Sequence, residues 1–172
     1  EQIPISQADA KYKRYIGNGA PKHFLSWSNN LTWRNFDLSV FFRGTFGFDV
    51  FNMRKYGMGL QGCGTDNVLR SAYLEDKNIR TGGGVISSYF LEDGSFIKLE
   101  NVTLGYNFTP KNRKLLDNMR IYLSAKNLFT LTGYSGNDPS IIDVNGIQPG
   151  VDSNSAYPTA TQLSLGVTLR FK

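Results

Sequence analysis

The chain of 172 residues has one cysteine, one histidine and no long apolar run, and each shortage removes a class of protein. Cys63 alone cannot close an internal disulfide, and Cys63 with His23 cannot supply a zinc ligand set. A transmembrane helix needs 18 or more consecutive apolar residues, and none is present. Basic residues outnumber acidic ones by 19 to 14, but they are scattered, the densest groups being 11–14 and 111–114. That is not the concentrated basic face of a nucleic-acid module, so no nucleic-acid partner is expected. Catalysis has equally little to work with. No Gly-x-Ser-x-Gly motif occurs, His23 stands at the start of a strand, and Glu92-Asp93 leads into an Asp-Gly turn rather than forming an acid/base pair. Asp143-Val-Asn-Gly146 has part of a calcium loop without its flanking ligands. No catalytic residue, metal or cofactor is therefore expected. The first residues, Glu1 to Gln7, lack the charged and apolar regions of a secretory signal. For an exported protein, the expectation is truncation: either the chain is a processed piece or the front of the protein lies outside this sequence.

What the chain does have is aromatic content of 13% and strict alternation. In Thr161 to Lys172, Leu163, Leu165, Val167, Leu169 and Phe171 share one face, while Gln162, Ser164, Thr168 and Arg170 share the other. A strand of about 9–11 tilted residues crosses a bilayer, apolar towards lipid and polar towards a lumen. Four other segments alternate in the same way. His23 to Trp33 carries Leu25, Trp27, Leu31 and Trp33 on one face. A two-residue link, Arg34-Asn35, then leads to a run of Phe36, Leu38, Val40, Phe42, Phe46, Phe48 and Val50. Phe96 to Phe108 changes parity between Leu99 and Val102, which predicts a bulge near Glu100-Asn101. Met119 to Leu131 is the fourth.

Between these segments the connections run short, long, fairly short and long. Residues 51–95 and 132–160 read as long loops, with short helical turns near Val68 to Leu74 and Arg113 to Leu116. This rhythm predicts an all-β fold of antiparallel strands from a transmembrane up-and-down β-barrel. Trp33, Phe36, Tyr106, Phe108 and Phe171 collect at the short-turn end and are expected to form an interfacial aromatic girdle. On the polar face, Ser39, Arg43, Lys98, Glu100, Tyr122 and Lys126 are expected to line the lumen. In the loops, Tyr56, Tyr73, Tyr134, Asn137, Asp138, Asp152 and Tyr157 are candidates for facing a polar substrate or a lid. Five strands cannot close a membrane barrel, because an open edge in lipid leaves backbone groups unpaired. Other strands must complete the sheet. The rival reading is a soluble all-β carbohydrate-binding module.

Several segments resemble the late barrel strands of SusC/RagA-type TonB-dependent outer-membrane transporters. They are Ile-Gly-Asn-Gly-Ala-Pro-Lys (16–22), Asn-Phe-Asp-Leu-Ser-Val-Phe-Phe-Arg-Gly-Thr-Phe-Gly (35–47), Phe51-Asn52, Leu-Glu-Asp-Gly-Ser-Phe-Ile-Lys-Leu-Glu-Asn-Val-Thr-Leu-Gly-Tyr (91–106) and Arg-Ile-Tyr-Leu-Ser-Ala-Lys-Asn-Leu-Phe-Thr (120–130). Tyr-Ser-Gly-Asn-Asp-Pro (134–139) and Tyr157-Pro158 continue the series. The likeness runs from Ile16 onward, with little recognisable between Gln61 and Arg80. It implies that residues 1–172 are the C-terminal part of a barrel of about 22 strands, with the plug and N-terminal regions absent from this sequence. It further implies a Gram-negative outer membrane, a periplasmic C-terminus, and import of oligosaccharides or oligopeptides energised through TonB. The implied partners are the remaining barrel and plug, outer-membrane lipid and a SusD-like surface lipoprotein acting as a lid. The family's terminal aromatic has its counterpart in Phe171, here followed by Lys172.

Overall fold

A computed structural model describes residues 14–59, 67–70, 86–110, 116–142, 146–153 and 157–172. Cys63, Tyr73, residues 143–145 and most of the two segments expected to be helical lie outside them. The chain forms two compact units. The first is a five-stranded antiparallel sheet in the order β1-β2-β5-β6-β8, made of β1 (His23–Trp33), β2 (Phe36–Phe46), β5 (Phe96–Phe108), β6 (Leu116–Thr132) and β8 (Gln162–Phe171). All five strands are those expected from alternation.

The register makes their apolar faces one surface. Leu31 lies opposite Leu38, Leu38 opposite Leu104, Leu104 opposite Leu123 and Leu123 opposite Leu165, giving one aliphatic row across the sheet. The adjoining row is Trp33, Phe36, Tyr106, Ile121 and Val167. All but the half-buried Leu38 are exposed: Trp33 keeps 68% of its surface and Leu165 75%. A contiguous apolar face of this extent is foreign to a water-soluble monomer. Asn29 interrupts it on β1, opposite Val40.

Bulges keep the face continuous. The register slips between Leu99 and Asn101, where sequence parity changes, so that Leu99 and Val102 still point the same way. Opposite this slip Asn127 takes a left-handed backbone, φ 52°. Its side chain donates to the Ala160 carbonyl at 3.3 Å, and its own carbonyl accepts from the Thr161 hydroxyl at 2.9 Å. The bulge thus also seats the entry to β8.

Beyond Phe46 the second expected strand ends early. Gly47, at φ +74°, turns the chain, and β3 (Asp49–Asn52) joins a different sheet. Phe48 and Val50, which alternation placed on the lipid face, are instead core residues, 2% and 0% exposed. Nor are the long connections structureless. Parts of Glu1–Lys22, Gly47–Ser95 and Gly133–Tyr157 make the second unit. It contains α1 (Met53–Met58), β4 (Leu91–Asp93), β7 (Val151–Asp152) and 3-10 turns at Ser88–Phe90 and Pro139–Ile141. Its small sheet runs β4-β3-β7, with β3 and β7 parallel.

Adjacent residues on β8 test the face assignment. In the full-length protein, Leu165→Arg is expected to cost on the order of 2–4 kcal/mol of barrel stability, while Ser164→Arg, on the polar face, is expected to change little. Heat-dependent gel mobility of the assembled barrel measures both, and equal loss in the two variants would contradict the assignment.

Candidate functional site

The polar face of the five-stranded sheet carries ordered ionic and amide contacts. Towards the short-turn end, Asp37 of β2 accepts from Arg120 of β6 through Nε at 3.1 Å and Nη2 at 2.5 Å, and from Asn107 Nδ2 at 2.8 Å. A two-point guanidinium–carboxylate pair of this kind fixes geometry as well as charge. It crosses β5 at Gly105, whose missing side chain makes the room. A Cβ there would stand 2.5 Å from an Asp37 oxygen and 2.7 Å from the Arg120 guanidinium. Tyr122 uses a second gap in the same manner, its ring lying over Gly166 of β8, where a Cβ would come within 2.3 Å. The Arg120 guanidinium sits 5.0 Å from the Tyr122 ring, so the two contacts adjoin.

Further along this face Arg43 Nε lies 3.2 Å from Glu100 and its guanidinium 5.6 Å from the Phe96 ring. Beside Arg43 in the register, Lys98 is only 2% exposed, and its Nζ donates to Thr159 Oγ1 at 2.7 Å. The charge of Lys98 is therefore held inside the protein rather than presented to open water. Ser39 stands between Asn30 and Thr103, and Lys126 between Asn101 and Gln162. All six residues expected to line a lumen thus belong to the polar side or its bulge.

The loop unit is built around Glu92. Its carboxylate accepts from the Ser135 amide and hydroxyl, each at 2.8 Å, and from Asn52 Nδ2 at 3.4 Å, with Lys55 Nζ 3.6 Å away. Asn52 caps α1 by accepting from the Lys55 amide at 2.9 Å, which suits an Asn at a helix start. Tyr56 packs its ring 5.9 Å from Phe51 and 5.2 Å from Phe90. Asn137 accepts from Arg54 at 2.8 Å, and Asp138, itself buried, caps the second 3-10 turn through Ser140. Tyr134 is 6% exposed and donates its hydroxyl to Asp152 at 2.6 Å, with Gly136 against its ring. Burial, then the Asp152 carboxylate, raises the Tyr134 phenol above the ordinary tyrosine value. Of the seven loop candidates, Tyr134 and Asp138 are interior, Tyr56, Asn137 and Asp152 are engaged within the unit, and Tyr157 is fully open. Tyr73 lies outside the described residues.

On the apolar face three of the five short-turn aromatics meet one another. Trp33 stacks on Phe36 at 6.5 Å and Phe36 meets Tyr106 at 4.9 Å. Phe108 lies one apolar-face row further out, opposite Met119, and Phe171 a row beyond that, opposite Leu116. Across the three steps from β2 to β8 the aromatic ends therefore climb four residues along the strands. At roughly 3.3 Å per residue and 4.8 Å between strands this is a slope of about 40°, matching the tilt of about 35–45° in membrane barrels. A second aromatic group, Trp27, Phe42 and Phe129, with centroids 5.7 and 6.5 Å apart, was not anticipated from sequence. Its members come from three strands, and only the register brings them together.

Two consequences are measurable. Asp37→Ala leaves Arg120 without its carboxylate and is expected to destabilise the full-length barrel by on the order of 1–2 kcal/mol, while Gly105→Ala should be far more harmful than Gly133→Ala, where a Cβ meets nothing within 4 Å. Denaturant unfolding in detergent reads both. In the loop unit the Tyr134 phenol holds its proton more tightly folded than unfolded. Its contribution is therefore full below pH about 10 and declines as the pH rises above that value. Hydrogen exchange of the loop amides should show that loss in the native protein and not in Tyr134→Phe.

No protein-family model matches the chain. A TonB-dependent receptor of Formosa agariphila is 28% identical over 188 residues, spanning 97% of this chain and 18% of that protein. The TonB-dependent receptor SusC of Bacteroides thetaiotaomicron is 28% identical over 153 residues, spanning 84% of this chain and 14% of that protein. Among solved structures, the RagAB peptide importer in its closed-closed state superposes with a TM-score of 0.76 at 24% identity, covering 97% of this chain and 19% of that one. The chain thus spans less than a fifth of the length of these relatives. Receptor sequences and an importer's fold agree with the exposed apolar face and the unclosed sheet: the chain is similar to the SusC/RagA type of TonB-dependent outer-membrane transporter over a stretch of its β-barrel.

Proposed function

We propose that residues 1–172 are the C-terminal portion of a TonB-dependent importer that carries oligosaccharides or oligopeptides across the outer membrane. The observation that carries this reading is the five-stranded sheet itself. One face is exposed and apolar, the other holds paired charges, and β1 and β8 each have an edge with no partner strand among the described residues. Such edges are costly in lipid, so the sheet is one arc of a closed barrel. The rest of that barrel and the plug come from sequence beyond these residues, and TonB engages that other part. The β1–β2 and β5–β6 links lie at the periplasmic end, with the C-terminus.

The opposite end carries both long connections, and their folding into a unit with its own core suits a surface that meets cargo. A SusD-like lipoprotein covers it in this reading. Tyr157, exposed and next to Pro158, is the loop candidate best placed to touch cargo or lid. Arg43, paired with Glu100, represents the polar wall inside. A soluble carbohydrate-binding module is disfavoured, because its apolar strand faces would be packed against a second layer.

The test is uptake by cells lacking the full-length receptor, with and without its restoration, using labelled oligosaccharide and oligopeptide pools. Uptake of one pool is expected to depend on the receptor and on TonB. Uptake of both pools unaffected by loss of the receptor, or receptor protein monodisperse without detergent, would refute the proposal.

A further inference from the structure

We infer that Arg34, carried on the face of Trp33, binds the phosphate of an anionic phospholipid at the short-turn interface. The inference rests on the membrane reading proposed above and adds a ligand to it. Its first support is position. Arg34 is exposed in the two-residue link between β1 and β2, and its guanidinium lies 5.3 Å from the centre of the Trp33 ring, the outermost ring of the aromatic row. A lipid-facing indole at the edge of the apolar band marks the depth where acyl chain gives way to headgroup. A guanidinium resting on that indole is at phosphate level.

The second support is backbone geometry. Arg34 has φ 55°, in the left-handed region, whereas Asn35 does not. A two-residue hairpin with only its first position left-handed is the kind that takes glycine there. A long cationic side chain therefore occupies a position where the backbone favours none. Strain held at an exposed site points to a use for the side chain.

Charge is the third support. Among the described residues Arg34 has no acidic partner. Asp37, the acid of β2, is already taken up by Arg120. Arginine recognises phosphate through paired N–H donors, so a guanidinium without a carboxylate of its own fits a phosphodiester headgroup.

The experiment uses the full-length receptor in vesicles of equal parts phosphatidylglycerol and phosphatidylcholine. A photocrosslinker is introduced as Tyr106→p-benzoylphenylalanine, beside Phe36 in the Trp33 row, and separately as Leu165→p-benzoylphenylalanine in the middle of the apolar band. Mass spectrometry then counts lipid adducts. At position 106 phosphatidylglycerol is expected to be favoured by about five-fold, the effect of one basic residue near a charged surface, and at position 165 by nothing. The preference should vanish in Arg34→Gly, which relieves the backbone, survive in Arg34→Lys, and shrink in 1 M salt. Equal adducts of the two lipids at position 106 in the native sequence, or an undiminished preference in Arg34→Gly, would overturn the site while leaving the membrane reading intact. Absence of any lipid adduct at both positions would overturn both.

Discussion

One continuous register across five strands is the constraint on which the rest of the structure depends. Side chains alternate along a strand, so a slip of one residue on any strand would move its leucines to the polar face and its charges to the apolar one. Sheet pairing by itself penalises such a slip weakly. The penalty comes from the two faces: the ionic contacts of Asp37 with Arg120 and of Arg43 with Glu100 hold one side, and interlocking aromatic rows hold the other. Each cross-strand contact is worth only about 1 kcal/mol or less, but a slip would lose those along a whole strand together.

The glycines of the polar face show how closely the two sides of this arrangement are related. Gly105 and Gly166 contribute no contact of their own, yet they let Asp37 reach Arg120 across an intervening strand and let the Tyr122 ring lie flat on its neighbour. Strand glycines ordinarily weaken a sheet. Here they exchange local strand propensity for a carboxylate–guanidinium brace across three strands and a ring packed on the adjacent one.

Much of this was legible from alternation. The five strands, the tight Arg34-Asn35 link and the bulge beside Glu100 all follow from period-two patterning and its one change of parity, because those features are local. The polar and apolar faces follow from the same pattern. Phe48 and Val50 were misplaced because the alternation continues unbroken past Gly47, and only the left-handed turn there diverts them into another core. The folded loop unit was illegible for a different reason. Its stabilising contacts, Glu92 with Ser135 and Phe51 with Val151, join residues far apart in sequence, and its strands are two to four residues long. Periodicity cannot register elements so short. The interior roles of Tyr134 and Asp138 share that origin: a tyrosine and an aspartate in a polar, glycine-rich segment give no local sign that either will be buried.

The parallel pairing of β3 with β7 has a mechanical consequence. It stitches the connection after β2 to the connection after β6, and Glu92 adds a second stitch to Ser135. Two loops tied at both points cannot swing aside one at a time. Whatever force displaces either will be shared by its companion, so this part of the molecule yields as a single flap or holds its shape.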